Sequence, residues 1–158
     1  MNFAKIEYCD VVNGPGVRTT LFVSGCAHNC VGCHNKEAQN FNFGEEFTDE
    51  VADSILSSLD NAFIEGLSIS GGDPLHPKNT NQIHELVEKV RDMYSYKKSI
   101  WLWTGYTIEQ LRNRNDSITD RILKNIDVLV DGKFVKDLKE AGLRYRGSSN
   151  QKIISLTP

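Results

Sequence analysis

The chain has 158 residues, of which 39% are apolar, and a formal net charge of -3 at pH 7. We expect one domain, residues 1–158, with enough apolar side chains to bury a core, and the negative charge argues against non-specific nucleic-acid binding. No apolar run approaches the roughly 20 residues of a membrane span, and the first residues lack the apolar core of a signal peptide. We therefore expect a cytoplasmic protein that does not contact a membrane.

The first predicted strand covers residues 17–24, which are β-branched and apolar. A turn at residues 13–16 precedes this strand, and Gly25 ends it. Three further strands are predicted at residues 67–70, 99–104 and 126–131, each followed by or ending near glycine.

Amphipathic helices are predicted between these strands. Thr48, followed by Asp49 and Glu50, is typical of a helix start, and Thr107 with Gln110 matches a capping box. The apolar stripes at helical spacing are Val51, Ile55 and Leu59; Ile83, Leu86, Val87 and Val90; and Ile118, Ile122 and Leu123.

The alternation of strands and helices predicts an α/β fold with a mainly parallel sheet. A closed eight-fold barrel takes about 250 residues, so we expect only a partial, open (βα) barrel. The cysteine-containing loop after residue 24, the glycines at 71 and 72, Thr104 and Asp131 all follow or end predicted strands. Since parallel sheets place active sites at the C-terminal edge of their strands, we expect these segments to converge there.

Three cysteines, Cys26, Cys30 and Cys33, form a C-x3-C-x2-C cluster directly after the first strand. This spacing favours a 4Fe–4S cluster with one iron that has no protein ligand, because full ligation takes four cysteines. An open iron can bind a substrate, so the first hypothesis is a catalytic cluster. A zinc site completed by His28 or His34, a thioredoxin-like C-x-x-C and a disulfide framework are the alternatives.

The segment from Ser70 to Leu75 contains Gly71, Gly72, Asp73 and Pro74. Two glycines after a strand allow the backbone to approach a ligand closely, and their carbonyls could accept hydrogen bonds from an ammonium group. A tight turn stopped by proline is the plainer interpretation.

The remaining candidates have weaker patterns. Thr104 and Asp131 are polar residues at strand ends and could be ordinary caps or ligand-binding groups. Trp101 and Trp103 share a face, which usually indicates core packing. Cys9 is interpreted as a small buried residue, and the polar tail 144–151 as a surface loop or a partner-binding segment.

The cysteine loop after one strand and Gly-Gly-Asp-Pro after the next resemble the radical S-adenosylmethionine enzymes. Within that superfamily, the chain is similar to the family of activating proteins of anaerobic ribonucleoside-triphosphate reductases. The segments that carry this resemblance are residues 12–16, 21–26, 32–36, 70–77, 103–106, 130–134 and 146–151.

The resemblance implies a glycyl-radical-generating enzyme. Cys26, Cys30 and Cys33 would hold the 4Fe–4S cluster, whose open iron would bind S-adenosylmethionine. One electron from a flavodoxin-type donor would cleave it to methionine and a 5'-deoxyadenosyl radical, which would take a hydrogen from a glycine of the reductase.

The resemblance also implies the binding residues. Gly71, Gly72 and Asp73 match the segment that receives the methionine amino group, and Thr104 and Asp131 would lie near its carboxylate, with or without a cation. Many superfamily members have an aromatic residue before the third cysteine, whereas this chain has Gly32, and close relatives often have Tyr where it has His34. Backbone contacts from Gly32, Cys33 and His34 are therefore expected instead.

A homodimer and a heterotetramer with the reductase are the candidate assemblies. The alternative functions are an activase of another glycyl-radical enzyme, such as pyruvate formate-lyase, and a non-catalytic zinc-binding interaction module.

Overall fold

The computed structural model describes residues 1–156, which form seven strands and four α-helices. The strands are β1 (Asn2–Asp10), β2 (Val17–Val23), β3 (Glu45–Glu46), β4 (Ile64–Gly71), β5 (Ser99–Trp103), β6 (Val128–Asp131) and β7 (Lys152–Ser155). The helices are α1 (Asp49–Leu59), α2 (Thr80–Tyr94), α3 (Ile108–Arg112) and α4 (Ser117–Asn125). Two short 3-10 helices lie at Glu37–Gln39 and Lys136–Leu138.

All seven strands belong to one sheet in the order β3-β1-β2-β4-β5-β6-β7. The four central strands, β2, β4, β5 and β6, are parallel to one another. The outer pairs β1–β2, β1–β3 and β6–β7 are antiparallel. The fold is therefore mixed α/β, with five strands that point in one direction and two, β1 and β7, that point in the other.

The four strands predicted from sequence are confirmed as the central strands of this sheet. Their buried apolar residues, such as Leu21, Leu67, Ile100 and Leu129, are all 0% exposed because helices cover the sheet. The predicted strand at residues 67–70 is longer than expected, and begins at Ile64. The outer strands β1, β3 and β7 were not predicted.

The predicted helices are also confirmed, and each connects two parallel strands. Helix α1 lies between β2 and β4, α2 between β4 and β5, and α3 and α4 between β5 and β6. Thr107 and Gln110 make both hydrogen bonds of the capping box. Thr48 occupies the N-cap position of α1, but its side chain makes no capping hydrogen bond.

One sequence interpretation, that of Cys9, is wrong, and that of the tail 144–151 as a surface loop is wrong in part, whereas its alternative role in partner binding stays a prediction. Cys9 is exposed rather than buried, because β3 covers β1 only at Asn2 and Phe3 and leaves the distal part of β1 at the surface. The tail 144–151 is not simply a surface loop, since Ser148 is 0% exposed and Gln151 is 9% exposed. The loop after β6 supplies their hydrogen-bond partners, since Gln151 Nε2 donates to the Gly132 carbonyl and Ser148 Oγ accepts from the Val135 amide.

The loops that follow the parallel strands meet at one edge of the sheet. The Gly72 amide donates to the Val23 carbonyl at 2.7 Å, and the Asp73 amide donates to the Gly25 carbonyl at 2.8 Å. The Thr104 amide donates to the Val130 carbonyl at 3.0 Å. These bonds bring segments that are tens of residues apart in sequence into direct contact. Among residues 1–156, no helix combines the length and the apolar content that crossing a membrane requires.

Candidate functional site

A cavity of about 170 Å³ opens at this edge of the sheet, and all three clustered cysteines line it. Its walls come from the loops after β2, β4, β5 and β6 and from the C-terminal segment. The lining residues predicted from sequence are Cys26, Cys30, Cys33, His34, Gly71, Gly72 and Thr104. The others include His28, Asn35, Trp103, Phe134, Gly147 and Gln151.

The cysteine loop is attached to the protein at its two ends. At the start, Gly25 has φ +98°, a backbone conformation that favours glycine, and its amide donates to the Ala38 carbonyl at 2.7 Å. The Cys26 amide donates to the Gln39 carbonyl at 3.1 Å. The 3-10 helix Glu37–Gln39 therefore closes the loop back onto the end of β2.

Burial raises the pKa of the Cys26 thiol to about 11, and the nearby Asp73 carboxylate also raises it. In the absence of a metal group this thiol is protonated at neutral pH. A metal or cluster binds the thiolate, so ligation by Cys26 releases a proton.

Asp73 joins three strand-end loops. Its Oδ1 accepts from the Leu75 amide at 2.9 Å and from the Thr104 hydroxyl at 2.8 Å. Its Oδ2 accepts from His28 Nε2 at 2.6 Å and from the Gly105 amide at 3.0 Å. The carboxylate is 0% exposed and is not part of the cavity lining.

The two glycines at the end of β4 are required by close backbone packing. A Cβ on Gly71, where φ is +101°, would lie 2.5 Å from the Val23 carbonyl oxygen. A Cβ on Gly72 would lie 2.6 Å from the Gly25 carbonyl oxygen. Because both residues still line the cavity, their backbone can contact a bound molecule, although the Gly71 carbonyl already accepts from Asn35 Nδ2 at 3.2 Å.

Thr104 and Asp131 occupy different positions relative to the cavity. Thr104 lines it and is 5% exposed. Asp131 is 2% exposed and accepts from the Ile108 amide at 2.8 Å, which is at the start of α3. Asp131 instead lines a neighbouring cavity, to which Gly105 and Gly132 also contribute. Gly32, with φ +75°, lies in the cysteine loop outside the lining of the cysteine cavity.

The C-terminal segment forms a wall that sequence reasoning missed. Gln151 Nε2 donates to the Gly132 carbonyl at 2.8 Å, and its Oε1 accepts from the Gly147 amide at 2.7 Å. Trp103 Nε1 donates to the Tyr145 carbonyl at 2.7 Å. The segment 146–151 is one of those that carry the family resemblance, but nothing in its polar composition indicates that it folds back onto the site.

The donor chemistry of the cavity fits an iron–sulfur cluster. Cys26, Cys30 and Cys33 all line it, and cysteine thiolates are the protein ligands of such clusters. A zinc ion in the alternative site would compete with Asp73 for His28, because His28 Nε2 already makes a hydrogen bond to Asp73. Cys26 Sγ, a His28 ring nitrogen and an Asp73 oxygen do lie within 4.8 Å of one another, so a mixed ligand set also exists beside the three cysteines.

Comparison with known proteins agrees with the iron–sulfur interpretation. Residues 12–154 match the family model described as a 4Fe-4S single cluster domain. The chain is 47% identical over 155 residues to the anaerobic ribonucleoside-triphosphate reductase-activating protein of Escherichia coli K12, covering 97% of each chain. It is 46% identical to the protein of that name from Vibrio cholerae, covering 99% of each.

A viral protein with the same name, from Enterobacteria phage T4, is 43% identical over 157 residues, covering 99% of this chain and 96% of its own. The similarity therefore extends from the first strand to the C-terminal wall of the cavity. The chain belongs to the family of anaerobic ribonucleoside-triphosphate reductase-activating proteins and contains a 4Fe-4S single cluster domain.

Proposed function

We propose that the chain activates an anaerobic ribonucleoside-triphosphate reductase by generating a glycyl radical on it through reductive cleavage of S-adenosylmethionine. The observation that carries this proposal is the convergence of Cys26, Cys30 and Cys33 on one cavity beside the Gly71–Gly72 backbone. The names of the relatives supply the protein substrate.

The cluster, when bound, supplies one electron to the sulfonium of S-adenosylmethionine, which gives methionine and a 5'-deoxyadenosyl radical that takes a hydrogen atom from a glycine of the reductase. The chain's own residues bind and orient. The thiolates of Cys26, Cys30 and Cys33 would hold the cluster, and with three protein ligands it would keep one iron open to S-adenosylmethionine. The Gly71–Gly72 backbone is proposed to receive the amino group.

Other residues are assigned to the walls of this binding site. The backbone from Gly32 to His34 is proposed to contact the adenosyl part, and the His34 ring lies 5.5 Å from the Phe134 ring, centroid to centroid. Thr104 and Asp131 are proposed to lie toward the methionine carboxylate. Thr104 lines the cysteine cavity and Asp131 the neighbouring one, and Gly105 and Gly132 line both cavities.

We also propose that the sheet is a partial, open (βα) barrel in a single domain, residues 1–158, with its active site at the C-terminal edge of the parallel strands. This placement is supported by the general rule for parallel α/β sheets. An open sheet of this size leaves the cavity accessible to a macromolecular substrate.

The electron is proposed to come from a flavodoxin-type donor in the cytoplasm. The segment 133–146 supports docking of an acidic protein, because it carries five basic and two acidic side chains in a chain whose net charge is -3. Most of this segment is exposed, and its Phe134 lines the cavity. A homodimer and a heterotetramer with the reductase are the proposed assemblies.

The proposal is tested on protein purified without oxygen. Iron, sulfide and zinc are assayed, dithionite and S-adenosylmethionine are added, and 5'-deoxyadenosine is measured. Cys30→Ala is expected to lower its formation by more than about 100-fold, because partners outside the ligand shell already contribute about 10–100-fold. The matched control is Cys9→Ala, which removes an exposed thiol outside the cavity and is expected to have no effect.

The protein substrate is tested by electron paramagnetic resonance. A glycyl radical is expected on an anaerobic ribonucleoside-triphosphate reductase and not on pyruvate formate-lyase. The reverse result would favour the alternative function, an activase of pyruvate formate-lyase. Bound zinc, no iron and no cleavage would instead identify a zinc-binding interaction module and refute the proposal.

A further inference from the structure

His28 lies in the middle of the cysteine loop, two residues from both Cys26 and Cys30, yet its side chain is only 7% exposed. The ring packs edge-on against Tyr106, with 4.4 Å between the ring centroids. It also covers Gly105, where a Cβ would lie 2.3 Å from His28 Cδ2. The loop after β5 is therefore shaped to receive this ring.

The hydrogen bond from His28 Nε2 to Asp73 Oδ2, at 2.6 Å, connects the cysteine loop to the end of β4. Asp73 in turn binds Thr104 and the Gly105 amide at the end of β5. Both carboxylate oxygens are thus occupied by donors from the protein. A buried carboxylate with this many partners acts as a fixed connection and has no exposed oxygen to offer a molecule in the cavity.

The centre of the cysteine loop has no comparable second attachment. Its ends are held by backbone bonds from Gly25 and Cys26 to the 3-10 helix. Among the described residues, the bond from His28 to Asp73 is the one side-chain hydrogen bond that ties residues 27–32 to another element. Without it, the segment that carries Cys30 would be free to move relative to β4 and β5.

We propose that His28 is a positioning residue that latches the cysteine loop onto Asp73, and so fixes the three thiolates relative to the Gly71–Gly72 backbone. In this role Asp73 holds loops together, and the backbone before it contacts the ligand. The inference rests on the proposed function, because it concerns how the cluster and S-adenosylmethionine are aligned.

The first experiment uses iron-free protein and requires no activity. Cys26 is alkylated with iodoacetamide, and the rate is followed by mass spectrometry. His28→Ala is expected to accelerate alkylation of Cys26 several-fold, because the Cys26 Sγ lies within 4.8 Å of a His28 ring nitrogen and loses the cover of the ring and of the loop that it holds. His28→Gln, whose side-chain amide can still donate to Asp73, is expected to restore most of the protection. His84→Ala, in α2 and outside the cavity, is the matched control and is expected to behave as the wild type.

The second experiment uses the reconstituted protein. For His28→Ala we expect iron retention against a chelator and the affinity for S-adenosylmethionine to fall by about 10–100-fold, the range typical of partners that orient metal ligands. The change in the cluster's electron paramagnetic resonance signal on adding S-adenosylmethionine should differ from that of the wild type, and His28→Gln should restore it.

The proposed positioning role of His28 would be overturned if His28→Ala had the alkylation rate, the iron retention and the spectrum of the wild type. Circular dichroism and thermal unfolding show whether His28→Ala folds. If it does not, His28→Gln alone decides the question. A wild-type Cys26 alkylation rate and spectrum in His28→Gln support the positioning role, whereas faster alkylation and an altered spectrum in a folded His28→Gln refute it. Failure of the wild type to bind iron or cleave S-adenosylmethionine would refute the proposed function instead, and the iron-free alkylation result would still stand.

Discussion

Arg18, at the start of β2, is a fully buried cation, and its hydrogen-bond partners within residues 1–156 are all neutral. Its guanidinium donates to Ser68 Oγ at 2.7 Å, to the Leu67 carbonyl at 2.9 Å, and to the Ser99 carbonyl and Oγ at 2.8 and 3.0 Å. Burial lowers the pKa of Arg18 to about 10, so the side chain remains charged at neutral pH. It connects β2, β4 and β5 near the ends of the strands that lie away from the cysteines.

We expect Arg18→Met to destabilise the protein by about 3 kcal/mol. Four short hydrogen bonds at about 1 kcal/mol net each give about 4 kcal/mol, and removing a buried charge offsets part of this loss. The methionine side chain retains much of the packing. For a chain of this length the expected decrease in Tm is about 6–12 °C, at about 2–4 °C per kcal/mol.

Urea and thermal unfolding of iron-free protein measure this effect, with Arg121→Met in the exposed part of α4 as the matched control. The control is expected to stay within about 0.5 kcal/mol of the wild type, as most surface substitutions do. The electron paramagnetic resonance spectrum of reconstituted Arg18→Met should be unchanged, since Arg18 is outside the cavity. A loss below about 1 kcal/mol, or an altered spectrum in a folded variant, would refute the reasoning.

Two further predictions concern the site and the pH dependence of stability. Gly72→Ala places a Cβ 2.6 Å from the Gly25 carbonyl oxygen and should lower bound iron in the reconstituted protein. Gly142→Ala is the control for backbone strain without a steric clash, because φ is +86° there and, among the described residues, an added Cβ would meet no other atom within 4 Å; this variant should bind iron as the wild type does. Burial by itself would raise the pKa of Asp10, but hydrogen bonds, chiefly from Thr20, outweigh it and hold the pKa below 3.8. This carboxylate therefore contributes stability that is present above pH 3.8 and lost as the pH falls through the folded pKa. Thr20→Val should lower the urea midpoint at pH 7, and its difference from the wild type should narrow in acid; a difference that does not depend on pH would contradict this assignment.

Local sequence patterns were sufficient for the central part of the fold. Leu21 and Val23 of β2 and the apolar stripe of α2 are buried as expected, because the strand face that helices cover and the helix face that covers it are both apolar. Strands β1 and β7 were not predicted from the sequence. Each lies antiparallel to its neighbour in the outer part of the sheet, where a strand is not buried on both faces. Most of their side chains are polar or exposed, so these two strands resemble loops in composition.

The candidate site was partly predictable from the positions of its residues relative to the predicted strands. The cysteines, the two glycines and Thr104 follow strands, and the direction of parallel strands is enough to bring such residues together. The partners of Asp73 were not predictable. His28 is 45 residues away in sequence, and its pairing depends on the loop after β5 leaving space at Gly105.

The sequence by itself determined the spacing of the three clustered cysteines, the central parallel strands and the helices between them, because each depends on residue type and short-range spacing. Only the tertiary structure decided that Asp73 is buried as a connection between loops, that Asp131 faces a neighbouring cavity, and that Gln151 supports a cavity wall. These roles depend on hydrogen bonds between segments far apart in the chain. A buried polar side chain takes whichever partner the fold brings within reach, and no local pattern specifies that partner.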